Sequence, residues 1–252
     1  MHIASIGIDL GKTTFHLVAL GERNKVLLRK KFSRPQLLAY TANLPASLVG
    51  LEACAGAHVL GTALREQGHQ VRLIPAQFVK PYRKSNKNDF LDAEAIAEAV
   101  TKQNMRFAQI KTQEQLDWQA MHRVRDRLVR RRTALINEIR GFLLERGITF
   151  AAQPIHLRKN LPTVIEDAGQ NLSPRLRWLL DHMWQEWKQT ETEIQAITDE
   201  IERISNEDAR CRQLRQIPGF GPLVSTATVA AIGNDAGYRC GRDFAAWLTP
   251  RQ

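Results

Sequence analysis

Cysteine is scarce in this sequence: three occur in 252 residues, at Cys54, Cys211 and Cys240. No two of them have the Cys-x-x-Cys spacing of a zinc knuckle or a redox pair, and three scattered cysteines do not make a disulfide framework. The scarcity therefore argues against a small disulfide-stapled or zinc-stapled protein and fits a reducing compartment.

Long apolar runs are also missing, since no stretch approaches the roughly 20 apolar residues of a membrane-spanning helix. The N-terminus has no basic segment followed by an apolar one, so no signal peptide is predicted. The content of 43% hydrophobic and 25% charged residues is that of an ordinary globular protein. We therefore expect a soluble, cytoplasmic protein, long enough for two structural units.

Acidic residues are too few to balance the basic ones, with 26 Asp and Glu against 36 Lys and Arg, for a net charge of +10. Such an excess predicts a polyanionic partner. Nucleic acid is favoured over a membrane surface, because no basic amphipathic helix with an aromatic face stands out. A basic protein without a polyanionic partner remains the alternative.

The strongest local pattern is the near-continuous apolar run of residues 6–20, which predicts two strands of a hairpin in the core of a sheet. Asp9 lies within the first of these strands. A charge buried there costs several kcal/mol unless it is compensated. A metal ion and a hydrogen-bond network are the usual compensators, and we favour a metal-ligating role for Asp9.

Further strands are predicted at residues 25–32, 47–52 and 70–75, with helices at 34–44 and 56–67 between them. Strands that first form a meander and then alternate with helices predict an α/β sheet. Glu52 ends one of these strands, as Asp9 does another, and active sites of open α/β sheets gather at strand carboxyl ends. The alternative for Glu52 is an exposed carboxylate at a strand end.

Residues 88–100 form an alanine-rich stretch that predicts a helix, with Asp89 and Asp92 on one side of its first turn. A capping box with Asp89 as N-cap would explain both acids without any chemistry. The preceding residues 80–87 are basic, and Lys84 and Lys87 are candidates for holding a phosphate backbone next to a carboxylate cluster.

Two long helices are predicted farther on, one over residues 112–145 and one starting at Ser173 and Pro174 with a heptad-like apolar seam. The proline-bearing segment 150–174 would join them into a helical hairpin or coiled coil. The first helix contains more arginines than Asp126 and Glu138 could pair. This surplus predicts contact with an RNA or DNA backbone. The alternative is a charged, solvent-exposed face of a scaffold helix. The arginine candidates are Arg123, Arg127, Arg130, Arg131 and Arg132.

A glycine-proline turn, Pro218-Gly219-Phe220-Gly221-Pro222, precedes a further predicted helix. It resembles a helix-hairpin-helix turn, in which Gly219 and Gly221 would let backbone N–H groups approach a phosphate. A purely structural tight turn explains the pattern equally well.

Taken in order, these motifs resemble a known family. Gly7-Ile8-Asp9, Leu51-Glu52-Ala53 and Lys87-Asn88-Asp89-Phe90-Leu91-Asp92-Ala93 are similar to the Asp-Glu-Asp-Asp (DEDD) pattern of bridge-RNA-guided insertion-sequence transposases. The segment from Gln216 to Pro222, with Phe244-Ala245-Ala246-Trp247-Leu248 after it, looks like that family's C-terminal transposase domain.

The resemblance implies an α/β chain with three parts. Residues 1–110 would form a ribonuclease H-like (RuvC-like) domain, residues 111–206 a long-helix coiled-coil insert, and residues 207–252 a partial, small α-helical C-terminal transposase domain. Asp9, Glu52, Asp89 and Asp92 would be catalytic residues that bind Mg²⁺ or Mn²⁺ for DNA strand cleavage and exchange. The implied partners are DNA, a guide (bridge) RNA and further copies of the chain, as a dimer or tetramer.

In that family a serine of the C-terminal domain is taken to attack DNA, in a stretch that would follow Gln252. The sequence is therefore expected to be a truncated copy whose own activity is in doubt, with Ser225 as a packing residue rather than a substitute nucleophile. Two alternatives stay open. Ile6-Gly7-Ile8-Asp9-Leu10-Gly11-Lys12-Thr13-Thr14 also resembles the first phosphate loop of actin-type and heat-shock ATPases, and the chain could be a non-catalytic nucleic-acid-binding remnant.

Overall fold

The structure, a computed structural model, describes residues 2–82, 88–232 and 241–242. This part of the chain divides into two compact units: one contains the described residues up to Gln113 and from Ile232 onwards, and the other contains Glu114–Ala231. Among the described residues, no helix is both long enough and apolar enough to cross a bilayer.

The first unit is built on a five-stranded sheet in the order β3-β2-β1-β4-β5. β1 pairs with β2 antiparallel and with β4 parallel, while β3 and β5 form the two edges. The predicted hairpin, meander and alternation of strands with helices are confirmed. The strands are β1 (Ser5–Leu10), β2 (Phe15–Leu20), β3 (Val26–Phe32), β4 (Leu48–Glu52) and β5 (Gln70–Ile74).

Helices cover both faces of this sheet. The order along the chain is α1 (Arg34–Ala42), α2 (Ala57–Glu66), the short α3 (Ala76–Val79) and α4 (Asp89–Ala99). α1 and α2 pack their leucines against the apolar side chains of one face, Ile6, Ile8 and Leu17 among them, all without solvent exposure. α4 lies on the opposite face, where Val18 and Leu20 contact two of its alanines.

Close approach between α4 and the sheet depends on glycine. A Cβ atom added to Gly7 would lie 2.0 Å from the backbone oxygen of Ala93 and 2.4 Å from the backbone nitrogen of Ala97. At Gly50 on the neighbouring strand, an added Cβ would lie 2.9 Å from Val100 and 3.0 Å from Ile96. The absence of a side chain at these two glycines therefore lets α4 and the residue after it pack directly on β1 and β4, and this contact sets the distance of the helix from the sheet.

The second unit is helical. Its elements are α5 (Gln113–Leu144), α6 (Pro154–Glu166), α7 (Pro174–Glu207), α8 (Ala209–Leu214) and α9 (Pro222–Ile232). The two long helices are confirmed and run antiparallel, because Arg125 of α5 bonds to Thr198 while Arg132, farther along, pairs with Glu191. Whether they form a true coiled coil stays a prediction.

α6 corrects the expectation that residues 150–174 only join the long helices. Pro154 occupies the first turn, where its missing N–H costs nothing, and Leu157 and Leu161 are fully buried against α5 and α7. Arg140 of α5 donates to the backbone oxygens of residues 150–153 at 2.8–3.2 Å, fixing the entry to this helix.

Gly7→Ala tests the contact between α4 and β1. The added methyl group meets backbone atoms that cannot rotate away, so we expect the free energy of unfolding to fall by roughly 2–4 kcal/mol, as in severe overpacking. Gly141→Ala is the matched control, since Gly141 lies within α5 with nothing within 4 Å of an added Cβ. It should be neutral or stabilise by up to about 1 kcal/mol. Equal effects of the two changes in urea unfolding would contradict the packing described here.

Candidate active site

The carboxyl ends of β1 and β4 bring two acids side by side. Ile8 pairs with Leu51 in the parallel register of these strands, so Asp9 and Glu52 follow at the same level. Asp9 is the second-to-last residue of β1 and is only half-buried, which corrects the expectation of a charge buried within the strand. The two acids share one edge of the sheet, as predicted.

The first turn of α4 supplies the other two acids. Its N-cap is Asn88, whose side chain accepts from the backbone N–H of Phe90 at 2.9 Å. A capping box with Asp89 as N-cap is therefore wrong, since Asp89 is already the first helical residue. Asp92 is buried, with 6% of its surface exposed, whereas the side chain of Asp89 is more than half exposed. With capping done by Asn88, neither aspartate is needed for it.

All four acids line one cavity of about 390 Å³ at the carboxyl edge of the sheet, together with the β1–β2 turn. The Gly11 N–H donates to the Thr14 oxygen at 2.9 Å, closing this turn. The lining residues are Asp9, Leu10, Gly11, Lys12, Thr13, Thr14, His16, Glu52, Cys54, Asp89 and Asp92. A larger hollow of about 480 Å³ near Arg65 and Phe107 contains none of the predicted site residues.

Burial and mutual repulsion raise the pKa of Asp9 above its ordinary value. Desolvation is the largest cause, followed by the negative charges of Asp92, Asp89 and Glu52, and the charge of His16 opposes them. Asp9 is thus close enough to the other three carboxylates for their charges to raise its pKa. Among the described residues, however, no three His, Cys, Asp or Glu side chains are placed so that they could hold one metal ion.

His16 is a member of this cavity that the sequence patterns did not single out. It pairs with Asp9 across the β1–β2 hairpin. Its Nδ1 lies 3.6 Å from an oxygen of Asp89, and its ring meets that of Phe90 edge-on at 4.8 Å. The length of the turn could have predicted this position, because a hairpin closed by residues 11–14 places residue 16 opposite residue 9.

Cys54 also lines the cavity. Burial, and after it the charges of Glu52 and Asp9, raise the pKa of its thiol. The group therefore stays a neutral thiol at neutral pH. Cys54 and Cys211 are both free cysteines.

The basic candidates divide into three groups. Lys84 and Lys87 lie outside the described residues. On α5, Arg130 pairs with Asp126 at 2.6 Å, and acids of α7 take the next two arginines: Arg131 contacts Glu186 at 2.9 Å, and Arg132 contacts Glu191 at 3.2 Å. Asp126 and Glu138 alone therefore do not pair the α5 arginines, as expected, but α7 supplies carboxylates for two of them, which the sequence pattern did not predict.

Arg123 and Arg127 form the remaining group. Both are exposed, and neither has an acidic partner within the described part of the chain. They lie four residues apart on α5 and so share one side of it. These two side chains are the arginines of the set that are available to a phosphate backbone.

The glycine turn precedes α9. Gly219 has a φ of +88°, which a residue with a side chain rarely adopts, and nothing surrounds an added Cβ at Gly221. The described geometry agrees with a tight turn, and a phosphate contact there stays a prediction. Ser225 is fully buried, with its hydroxyl 3.1 Å from that of Ser205, so its expected role in packing is confirmed.

The fold and the cavity define an α/β protein with a carboxylate site at the end of its central strands, and known sequences identify its family. Residues 6–147 match the model of the DEDD transposase of the IS110 group, described as a transposase. Residues 211–251 match the model described as "Transposase IS116/IS110/IS902 family".

Three curated relatives are similar over essentially the whole chain. The transposase for insertion sequence element IS1328 of Yersinia enterocolitica is 41% identical over all of this chain and 75% of its own length. A probable family 20 transposase of Pseudomonas aeruginosa is 40% identical with the same coverage. The transposase for IS1111A of Coxiella burnetii is 37% identical over 99% of this chain and 69% of its own length. The chain belongs to the IS110/IS116/IS902 family of insertion-sequence transposases.

Family membership decides between the interpretations of the first strand. It confirms the transposase resemblance and favours it over the actin-type or heat-shock ATPase alternative. It also makes the chain a member of an enzyme family of DNA recombination.

Asp9→Asn tests the electrostatics of the cavity. Because the folded pKa of Asp9 is raised, its ionisation destabilises the fold as the pH rises through the interval between the unfolded and folded pKa values. Without divalent ions at pH 7, Asp9→Asn should therefore stabilise the chain and melt at a higher Tm than the wild type. At pH 3 the difference should shrink. A variant that is less stable than the wild type at pH 7 would contradict the raised pKa of Asp9.

Proposed function

We propose that the first unit is a ribonuclease H-like (RuvC-like) nuclease domain that cleaves DNA strands during transposition with divalent metal ions. The strand order β3-β2-β1-β4-β5 supports this assignment, as does the direction of the strands: β2 is antiparallel to both of its neighbours, and the other pairs are parallel. The observation that carries the proposal is the single cavity lined by Asp9, Glu52, Asp89 and Asp92.

The donor chemistry fits Mg²⁺ or Mn²⁺. Four carboxylates offer hard oxygen ligands, and the pKa of Asp9, raised first by burial and then by the neighbouring carboxylates, marks negative charge that a cation would neutralise. Bound there, divalent ions would stabilise the charge that develops on the attacking and leaving oxygens of a phosphodiester. The carboxylates must draw closer than they stand in the described arrangement before three of them could share an ion.

The chain's own side chains have separable roles in this proposal. Asp9 and Glu52 present oxygens from rigid strand ends, and Asp92 presents its own from the buried side of α4. His16 orients Asp89, the most exposed of the four, through the 3.6 Å contact. Lys12, exposed in the turn that borders the cavity, would attract the phosphodiester backbone.

The rest of the chain would bind nucleic acid and further copies of the protein. We assign residues 111–206 to a helical insert and residues 207–252 to part of the C-terminal transposase domain. Guidance by a bridge RNA and assembly into a dimer or tetramer are proposals from the family resemblance. The net charge of +10 and the exposed Arg123 and Arg127 support the nucleic-acid part.

Metal binding is tested without any substrate. At a concentration of Mn²⁺ one hundred times its Kd, the wild type should gain about 2.7 kcal/mol of stability over the EDTA form. Asp9→Asn and Glu52→Gln should lose most of this gain in thermal melts. Glu66→Gln, an exposed acid of α2 away from the cavity, serves as control and should keep it. If Mn²⁺ stabilised all four proteins alike, the carboxylates would not be the metal site.

Contact between α5 and nucleic acid is tested by salt dependence. The double variant Arg123→Gln with Arg127→Gln should reduce the slope of log Kd against log salt for RNA or duplex DNA by roughly 1.8, because two phosphate contacts are lost. Arg131→Gln with Arg132→Gln is the matched control, since their guanidinium groups already bind acids of α7. Its slope should change by much less. A larger change in the control than in the test variant would assign the contact to the wrong arginines.

A further inference from the structure

The pairing of the strands places four ionisable side chains in one row across the sheet. Asp9 pairs with His16 between β1 and β2, and His16 pairs with Lys31 between β2 and β3. Glu52 follows the last pair of β1 with β4, at the level of Asp9. From β4 to β3 the row contains two carboxylates, an imidazole and an ammonium group. Lys31 is therefore at one end of a row whose other end is the carboxylate site.

The contacts of β3 show which way its side chains point. Arg29, two residues before Lys31, pairs with Glu94 of α4 at 2.7 Å. Lys30 has its Nζ atom 4.5 Å from the centre of the Tyr40 ring on α1, across the sheet from α4. Because side chains alternate along a strand, Lys31 lies on the α4 face with Arg29 and with the acids.

Lys31 also differs from its neighbours in having no partner. Arg29 is held by an acid and Lys30 by an aromatic ring, whereas the exposed Lys31 has no ion pair or ring contact with any residue of the described ranges. A solvated amine beside a carboxylate site adds no appreciable stability to the fold. Its charge is available to an anion that the site would bind.

The spacing suits a nucleic-acid strand. Adjacent strands of a sheet lie about 4.8 Å apart, so the backbone of Lys31 is roughly 10 Å from that of Asp9. At about 3.4 Å per nucleotide along a duplex, that span corresponds to about three nucleotides. We propose that Lys31 is a positioning residue, binding a backbone phosphate within about three nucleotides of the phosphodiester at the carboxylates, so that the strand crosses the sheet from β4 towards β3.

This inference rests on the proposed nuclease function and can fail separately from it. Binding of fluorescent single-stranded and duplex DNA is measured by anisotropy over a range of salt, with Ca²⁺ in place of Mg²⁺. Lys31→Gln should reduce the slope of log Kd against log salt by about 0.9 on duplex DNA and about 0.7 on a single strand. Between 50 and 200 mM salt, the affinity of Lys31→Gln for duplex DNA should therefore fall by a factor about 3.5 times smaller than that of the wild type. Lys31→Arg should restore the slope.

Lys30→Gln is the matched control, adjacent in sequence but on the opposite face, and its slope should equal that of the wild type. If Lys30→Gln and Lys31→Gln lowered the slope equally, the effect would be one of general surface charge and the inference would be wrong. A wild-type slope in Lys31→Gln would overturn the inference and leave the nuclease proposal standing. DNA binding too weak to measure in the wild type would overturn both.

Discussion

The contact between α4 and the bare backbone of β1 is the constraint on which the candidate site depends. Gly7 leaves no room for even a methyl group beneath Ala93 and Ala97, so the helix lies directly on the central strand. Asp89 and Asp92 lie in the first turn of that same helix, immediately before the contact. The height of α4 above the sheet therefore decides whether its two acids reach the level of Asp9 and Glu52, which the strand ends hold in place.

Packing and chemistry oppose each other at this point. The same close approach that brings the helix to the sheet also gathers four carboxylates around one cavity, where burial and then their mutual repulsion raise the pKa of Asp9. Apolar burial on both sides of the sheet has to offset that repulsion, and Ile6, Ile8 and Leu17 are fully buried directly behind the site. Such repulsion between carboxylates is what the proposed divalent ions would relieve.

Much of this arrangement was predictable from sequence, because it depends on local patterns. Apolar alternation predicted the five strands, and acids at the ends of two of them predicted a shared edge. His16 was missed because its place beside Asp9 depends on the hairpin register, which follows from the length of a turn. The capping role of Asn88 was missed because Asp89 satisfies the same sequence preference one residue later.

The helical unit was less predictable because its decisive contacts are long-range. The pairing of Arg131 and Arg132 with Glu186 and Glu191 joins residues more than fifty positions apart, and no periodicity within α5 reveals it. The surplus of arginines was therefore overestimated. α6 had a readable signal in Pro154 and the leucines at 157 and 161, but the prolines of the segment suggested a linker instead.

The most direct measurement of the central claim is anomalous diffraction from crystals of the chain soaked in Mn²⁺. The account predicts an anomalous peak in the cavity, about 2.0–2.2 Å from a carboxylate oxygen of Asp9 and from one of Asp89 or Asp92, since an ion must join β1 to α4. The account would be contradicted if saturating Mn²⁺ gave no peak in the cavity. It would also be contradicted if each ion contacted only one of these acids, at separate places.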